Sequence, residues 1–224
     1  MFNSVTPQSI VDDVNALTDN DGYSLVSLTQ LVAWINKELL DLWQWATRCN
    51  RDAFTKCTSA FSLAGGTQSI SMTAASPGLA LTDWLAARAV DIQVSSQDWK
   101  KLRLWNFTTR DRIGLLSYRF LGETLWIQPI EQASVYPLRV WYLFKAPVVT
   151  VASLSTAIVI PDNAEEYVKQ GVAAKLRVRL DDDPGPHLQA QAAARLALEA
   201  FLASSKGDQG AISDVSEEVG PELW

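Results

Sequence analysis

Three consecutive aspartates, Asp181–Asp183, and the single histidine of the chain, His187, could do chemistry within a short span. The ligands of a calcium loop alternate along the chain so that their oxygens converge on the ion, and three adjacent carboxylates lack that spacing. His187 has no cysteine or second histidine at ligand spacing. We therefore interpret the aspartates as a solvated turn between helices and His187 as an exposed residue in the first turn of a helix. We expect no metal site.

Sequence motifs for nucleotide binding or nucleophilic catalysis are absent from the chain, which has no G-x-S-x-G, Walker or G-x-G-x-x-G motif. The pair Gly65-Gly66 lies between β-forming residues, which predicts a hairpin turn and not a phosphate-binding loop. We assign no catalytic residue and no cofactor, and we expect that the protein is not an enzyme.

The basic and aromatic segment 99–112 could bind single-stranded nucleic acid, because cationic side chains attract phosphates and aromatic rings stack on bases. The alternative is a loop whose aromatic residues dock into the body while its basic residues meet acids of a neighbour. The net charge of −6 favours docking, since general phosphate binding needs an excess of lysine and arginine. The segment contains Trp99, Lys100, Lys101, Arg103, Trp105, Phe107, Arg110, Asp111 and Arg112.

The composition is that of an ordinary globular protein, with 48% hydrophobic and 20% charged residues. No basic residue precedes Lys37 and no apolar stretch could cross a bilayer, so we expect neither a signal peptide nor a membrane anchor. Cys49 and Cys57 are expected to be free thiols in a reducing compartment. Nine tryptophans are typical of protein interfaces or of sugar-binding clefts.

Helical periodicity marks both ends of the chain. One helix is predicted to begin at Thr6-Pro7, and a longer one near Ser27 or Thr29. Trp34, Leu40 and Trp45 lie off the main apolar stripe of the second helix, which predicts a second partner for it.

After Pro161 the helical period returns. Asp162 and Glu165 predict a capping box at the start of a helix that ends at the aspartate turn, and an alanine-rich helix should follow from His187 to Ser204. The alanines suit a close approach between helices.

The middle of the chain has β character. We predict a hairpin around Gly65-Gly66, a short helical start followed by a strand over Ala89–Val94, and strands within 115–122, 123–130 and 136–144. The predicted fold class is α+β. Residues 1–50 and 160–204 would form a helical bundle, 51–159 an inserted antiparallel β-rich region, and 205–224 an extended C-terminal arm.

Residues 205–224 have the composition of a disordered tail but carry sparse apolar residues. The tail could pack on its own domain. We favour a peptide arm laid along a partner, with the apolar residues as anchors. These anchors are Ile212, Val215, Val219, Leu223 and Trp224.

Three segments carry a resemblance to a known family. They are SLTQLVAWINKELLDLWQWATR (27–48), ETLWIQPIEQASVYPLRVWYLFKAP (123–147) and IVIPDNAEEYVKQGVAAKLRVRL (158–180), the last followed by AQAAARLALEAFLA. Their joint order resembles the head-to-tail adaptor (connector) proteins of tailed bacteriophages.

The resemblance implies a structural virion protein at the neck, assembled in the host cytoplasm. Such adaptors form a ring, usually twelvefold, under the portal, extend the DNA channel and give the tail a place to attach. The implied partners are the portal protein, neighbouring adaptor subunits, tail, stopper or nozzle proteins, and genomic DNA that passes without sequence-specific binding. The arm anchors would bind the portal. Subunit or tail contacts are expected at Trp34, Trp45, Trp99, Lys100, Lys101, Arg103 and Trp105.

Two other functions remain open at this point. A carbohydrate-binding tail or baseplate module would need several tryptophans on one exposed face. A virion hydrolase would need a pair of carboxylates in a pocket.

Overall fold

A computed structural model describes residues 2–19, 26–64, 67–75, 78–95, 98–105, 116–128 and 136–204. It is a mixed α+β protein whose described part contains four α-helices and mainly antiparallel strands. The chain divides into two compact units, one of Met1–Ala53 with Pro147–Trp224 and one of Phe54–Ala146. We call them the helical unit and the β unit.

The helical unit contains helices α1 to α4, a short 3-10 helix over Val151–Ser153 and one two-stranded antiparallel ribbon. The helices are α1 (Pro7–Thr18), α2 (Leu28–Cys49), α3 (Ala164–Arg179) and α4 (Gly185–Ser204). The ribbon pairs β1 (Phe2–Val5) with β10 (Ile158–Pro161).

Two helix starts agree with their sequence signals. Pro7 occupies the first turn of α1, where its missing N–H is not needed. The Ser27 hydroxyl accepts a hydrogen bond from the Gln30 N–H at 3.4 Å and so caps α2. The predicted starts of both helices are confirmed.

The core of the helical unit surrounds α3, which packs against α1, α2 and α4. Its apolar residues recur at three- and four-residue spacing, so each helix presents one stripe to the others. The buried side chains include Ile10, Val14, Leu31, Ile35, Leu39, Leu42, Val168, Val172, Leu176, Leu198 and Leu202.

The predicted start of α3 is wrong. The strand β10 runs to Pro161, and a two-residue turn delays the helix until Ala164. Asn163 stands before the helix in the left-handed conformation, with φ 66°, and its side chain makes no capping hydrogen bond. Glu165 forms an ion pair with Lys169 at 2.9 Å, one turn further on.

The β unit contains two four-stranded sheets, in the orders β2–β9–β4–β5 and β3–β8–β7–β6. All neighbours are antiparallel except β6 and β7, which are parallel. The strands are β2 (Thr55–Cys57), β3 (Ser69–Ser71), β4 (Trp84–Gln93), β5 (Trp99–Lys101), β6 (Arg103–Leu104), β7 (Ser117–Leu121), β8 (Thr124–Gln128) and β9 (Leu138–Phe144). The strands predicted within 115–122, 123–130 and 136–144 are confirmed.

Two predictions for this region are wrong. The strands β2 and β3 belong to different sheets and do not form a hairpin with each other, and Gly65-Gly66 lies outside the described residues. The expected helical start before Ala89 is part of β4. Register shifts at Trp84/Ala86 and Ala87/Ala89 break the alternation of this strand, so its sequence does not show a period of two.

One continuous segment, residues 99–104, contributes an edge strand to both sheets. Its first half, β5, pairs with β4, and its second half, β6, pairs with β7. Leu102 between them is buried, and its N–H donates to the Val90 carbonyl at 2.8 Å. The segment predicted as a basic and aromatic loop is therefore ordered β-structure over 99–104.

Candidate interaction surfaces

Trp34 and Trp45 both lie on α2 and are half-buried. The Trp45 ring meets the Tyr167 ring edge-on, with centroids 5.9 Å apart, and the Arg195 guanidinium lies 5.1 Å from the Trp45 centroid. Burial raises the pKa of Tyr167 above its usual value. Trp45 thus joins α2, α3 and α4, and its role in a subunit interface stays a prediction.

Trp99 belongs to a cluster on the outer face of the first sheet. The Arg139 guanidinium lies 4.3 Å from the Trp99 centroid and 5.2 Å from that of Trp141. The Asp91 carboxylate accepts hydrogen bonds from Arg139 Nε at 2.9 Å and from Trp141 Nε1 at 2.7 Å. An arginine is held here between two indoles and a nearly buried carboxylate.

Trp105 belongs to a similar cluster on the second sheet. The Arg119 guanidinium lies 4.3 Å from the Trp105 centroid and 5.7 Å from that of Trp126, its neighbour across the strand pair. The same Trp–Arg–Trp arrangement therefore occurs once on each sheet. The sequence signals of these clusters are Arg-x-Trp at 139–141 and an Arg and a Trp placed symmetrically about the turn at 122–123.

The basic residues of the same segment face solvent. Lys100, Lys101 and Arg103 are exposed, and within the described ranges none of them forms an ion pair. Trp99 and Trp105 thus pack on arginines of the sheets while the cations between them stay at the surface. Phe107, Arg110, Asp111 and Arg112 lie outside the described residues.

A groove of about 590 Å³ lies beside this segment, within the β unit. Leu85 and Leu104, which are 49% and 64% exposed, lie at its surface, and the Trp84 and Phe120 rings meet at a tilt of 36° with centroids 5.6 Å apart. The remaining lining residues are Ala86, Ala87, Arg88, Tyr118, Gly122 and Glu123. This groove is mainly apolar and adjoins exposed cations.

Two polar groups at the edge of the first sheet have shifted pKa values. The Tyr142 hydroxyl donates to Asp83 at 3.0 Å, and Lys56 lies 2.5 Å from the same carboxylate. Burial and the bond to Asp83 raise the pKa of Tyr142 to about 12. Although burial opposes ionisation of Asp83, the hydrogen bonds from Lys56 and Tyr142 lower its pKa overall. A tyrosine so reluctant to ionise is a poor general base.

A buried polar cluster in the helical unit was missed by the sequence interpretation. Glu38 on α2 pairs through Oε1 with Lys175 on α3 and accepts through Oε2 from Gln191 Nε2 on α4 at 2.7 Å. Gly171 adjoins the cluster, because a Cβ there would lie 2.5 Å from the Glu38 carboxyl carbon. Glu38 sits within the apolar stripe of α2, which was the available signal.

The aspartates and the histidine have structural contacts. Asp182 pairs with Arg177 at 2.9 Å, and Asp183 accepts from the Gly185 N–H at 2.8 Å. Across the described part of the chain, no group of three or more metal-ligating side chains could hold an ion. The expectation that His187 is exposed is wrong: it is half-buried and hydrogen-bonded to Gln170 at 2.7 Å, and burial, followed by Arg177, lowers its pKa.

The tryptophans do not form an exposed row. All eight within the described ranges are buried or half-buried, and Trp224 lies outside them together with Ile212, Val215, Val219 and Leu223. A flat sugar-binding platform is therefore not seen among the described residues.

No helix in the described part is both long and apolar enough to cross a membrane. No protein-family model matches the chain, and no curated protein matches it significantly.

Proposed function

We propose that this chain is a structural virion protein, a head-to-tail adaptor that forms a ring, twelvefold by the family resemblance, under the portal of a tailed bacteriophage. The ring would extend the DNA channel and present the attachment surface for the tail. The proposal combines the joint order of the three sequence segments quoted above with one observation on the structure, the outward face of α4.

This face of α4 is apolar where a free helix would be charged. Only Leu198 and Leu202 of the helix are buried, whereas Leu188 and Leu196 are 50% and 67% exposed. The Arg195–Glu199 ion pair borders this face, and the other residues around Leu196 are uncharged and exposed, over about 22 Å of helix. They are Gln189, Ala192, Ala193, Ala197, Ala200 and Ala203. An exposed apolar surface of this extent supports assembly with other chains.

In this proposal the four helices act as a bundle, the β unit of Phe54–Ala146 as a β-rich insertion and residues 205–224 as the arm. The bundle supplies lateral contacts between subunits, and Trp34, Trp45 and the 99–105 segment supply further subunit or tail contacts. The arm residues Ile212 to Trp224 bind the portal, and DNA passes without sequence-specific binding. The chain carries no catalytic role or cofactor and acts in the virion neck after assembly in the host cytoplasm.

Electron microscopy of the chain mixed with its portal tests the proposal. We expect rings on the portal with the full chain and weakened binding with a chain cut after Ser204. Leu196→Glu should prevent ring closure by placing a charge on the α4 face. Leu17→Glu, at an exposed leucine of α1, is the matched control. If no chain associates with the portal, the adaptor proposal is wrong.

The carbohydrate-binding alternative gains no support from most of the described tryptophans, since Trp45, Trp99 and Trp105 lie against arginines and Trp43 and Trp84 are buried. Measurable glycan binding by the full chain would favour the carbohydrate-binding module over the adaptor.

A further inference from the structure

The exposed basic residues of 99–104 have no ion-pair partner among the described residues. Six other described cations pair with a carboxylate, as in Lys56–Asp83 and Lys169–Glu165, whereas exposed cations such as Lys37, Lys145 and Arg179 do not. Lys100, Lys101 and Arg103 lie within four residues of chain, although Lys100 and Lys101, as neighbours in β5, point to opposite faces of the strand. Three exposed cations in a short segment of an acidic protein form a local attraction for carboxylates.

The backbone of the same segment offers a second means of binding. β5 and β6 are each the last described strand of their sheet, but the segment pairs through opposite sides, since the Leu102 N–H donates to Val90 in the first sheet and the Trp105 N–H to Tyr118 in the second, so only a short stretch of main chain on each side is unpaired with a described strand. An edge strand can take up an extended peptide through main-chain hydrogen bonds. Lysine on an edge also discourages unwanted pairing, but Leu104 at 64% exposure and the groove beside it favour apolar contact. The segment therefore combines exposed cations, main-chain groups without a described strand partner, and the apolar surface of Leu104 and the groove.

The chain itself contains a peptide with complementary chemistry. Residues 205–224 carry five acidic residues, Asp208, Asp214, Glu217, Glu218 and Glu222, and a single cation, Lys206. Ile212 and Val215 lie between the acids, where they could enter the groove next to Leu104. Residues 205–218 could reach about 48 Å when extended, far enough to leave their own subunit.

We propose that the edge formed by residues 99–104 binds the acidic part of the arm, residues 208–218, of a neighbouring copy of this chain. The inference rests on the proposed ring for the presence of that neighbour. It deepens the proposal by dividing the arm: its acidic part crosses the next subunit, which leaves Val219, Leu223 and Trp224 for the portal.

Carbodiimide cross-linking tests this contact, because it joins a lysine amine to a carboxylate only when the two are in contact. The full chain would be prepared in ¹⁵N-labelled and unlabelled forms, mixed, and cross-linked with and without the portal. We expect mixed-isotope cross-links between Lys100 or Lys101 and the acids of 208–218. Arg103→Glu keeps both lysines but reverses one charge of the segment, so the yield of these cross-links should fall. Arg179→Glu, at an exposed arginine of α3, should leave that yield unchanged.

A charge exchange makes the test specific. Lys100→Glu/Lys101→Glu/Arg103→Glu removes both reactive amines and so ends the native cross-links by itself, whereas Asp214→Lys/Glu217→Lys/Glu218→Lys keeps the amines and Asp208 and should lower the remaining yield about tenfold by reversing three pairs. Mixing the two variants should restore cross-links, now from arm lysines to strand glutamates. Lys37→Glu/Lys145→Glu/Arg179→Glu changes the net charge equally at exposed sites and should leave the native cross-links intact.

Same-isotope cross-links alone would show the arm on its own chain and would overturn the proposal, as would the absence of these cross-links in both samples. Electron microscopy of the same samples separates the two hypotheses. Rings without the cross-links would overturn only the arm contact, and cross-links without portal-bound rings would overturn only the adaptor function.

Discussion

In each unit a buried carboxylate holds two donors, Glu38 in the helical unit and Asp91 in the β unit, but the donors come from different distances along the chain. In the helical unit Glu38 binds Lys175 and Gln191, which come from two other helices. In the β unit Asp91 binds Arg139 and Trp141, which are two residues apart on the neighbouring strand. The first cluster fastens three elements together, whereas the second completes the surface of one strand pair. The same chemistry should therefore matter more for stability in the helical unit.

The largest expected effect is that of Glu38→Ala. It leaves the Lys175 ammonium without its carboxylate and Gln191 without its acceptor in a largely buried site. We expect a loss of about 3–5 kcal/mol in the free energy of unfolding, measured by denaturant titration. Glu38→Gln keeps the shape and should cost less. A loss no larger than that of Asp91→Ala would show that the Glu38 cluster does not matter more for stability than the Asp91 cluster.

The substitution Gly171→Ala tests how tightly the Glu38 cluster is packed. The added Cβ meets the Glu38 carboxyl and Gln191, so α3 and α4 must separate or the cluster must rearrange. We expect a cost of about 1–3 kcal/mol. Gln191→Ala in the same chain should recover part of that cost by making room, and a double-mutant cycle measures the coupling. If the free-energy changes of Gly171→Ala and Gln191→Ala simply add, the added Cβ does not clash with Gln191.

A smaller effect is expected for Asp91→Ala. Arg139 and Trp141 lose their acceptor, but both lie on the outer face of the sheet, where water can replace it. The expected loss is about 1–2 kcal/mol in the free energy of unfolding. Because the cluster lies on one strand pair, the slope of the unfolding free energy against denaturant concentration should not change. The change Asp98→Ala, at an exposed loop aspartate, provides the control.

The smallest effect concerns pH. The pKa of Tyr142 is raised from 10.0 to about 12 in the folded protein, so the neutral phenol is favoured by folding. Its contribution to stability is complete below pH 10 and is lost as pH rises from 10 to about 12, because only the unfolded chain releases this proton in that window. Absorbance titration should show two late tyrosines, Tyr142 and Tyr167, and Asp83→Asn should shift only Tyr142 toward pH 10. Five tyrosines that titrate together would contradict the assignment.

The sequence predicted those elements whose side chains follow a regular period. In β9, Leu138, Val140 and Tyr142 are buried while Arg139 and Trp141 alternate with them, and the predicted strand is confirmed. Likewise, Ser27 caps α2 through its own side chain, so the helix start is a local property.

Other features depend on partners far away in the chain and could not be predicted locally. The ribbon strand β1 is only four residues long and exists because it pairs with β10, whose end displaces the start of α3 to Ala164. The bulges of β4 follow from its pairing with β9 and conceal the strand period. The Trp–Arg–Trp clusters likewise need a known register, since Arg119 reaches Trp126 only across a strand pair.

The division of the chain has a consequence for biosynthesis. All of the β unit is contiguous, from Phe54 to Ala146, so a ribosome finishes it before the second part of the helical unit emerges. In contrast, α1 and α2 must wait for α3, the helix that covers their apolar stripes, and β1 must wait for β10. At about 5–20 residues per second, this leaves the first two helices without their native cover for several seconds. Nascent α1 and α2 are thus the part of this protein that most needs a chaperone.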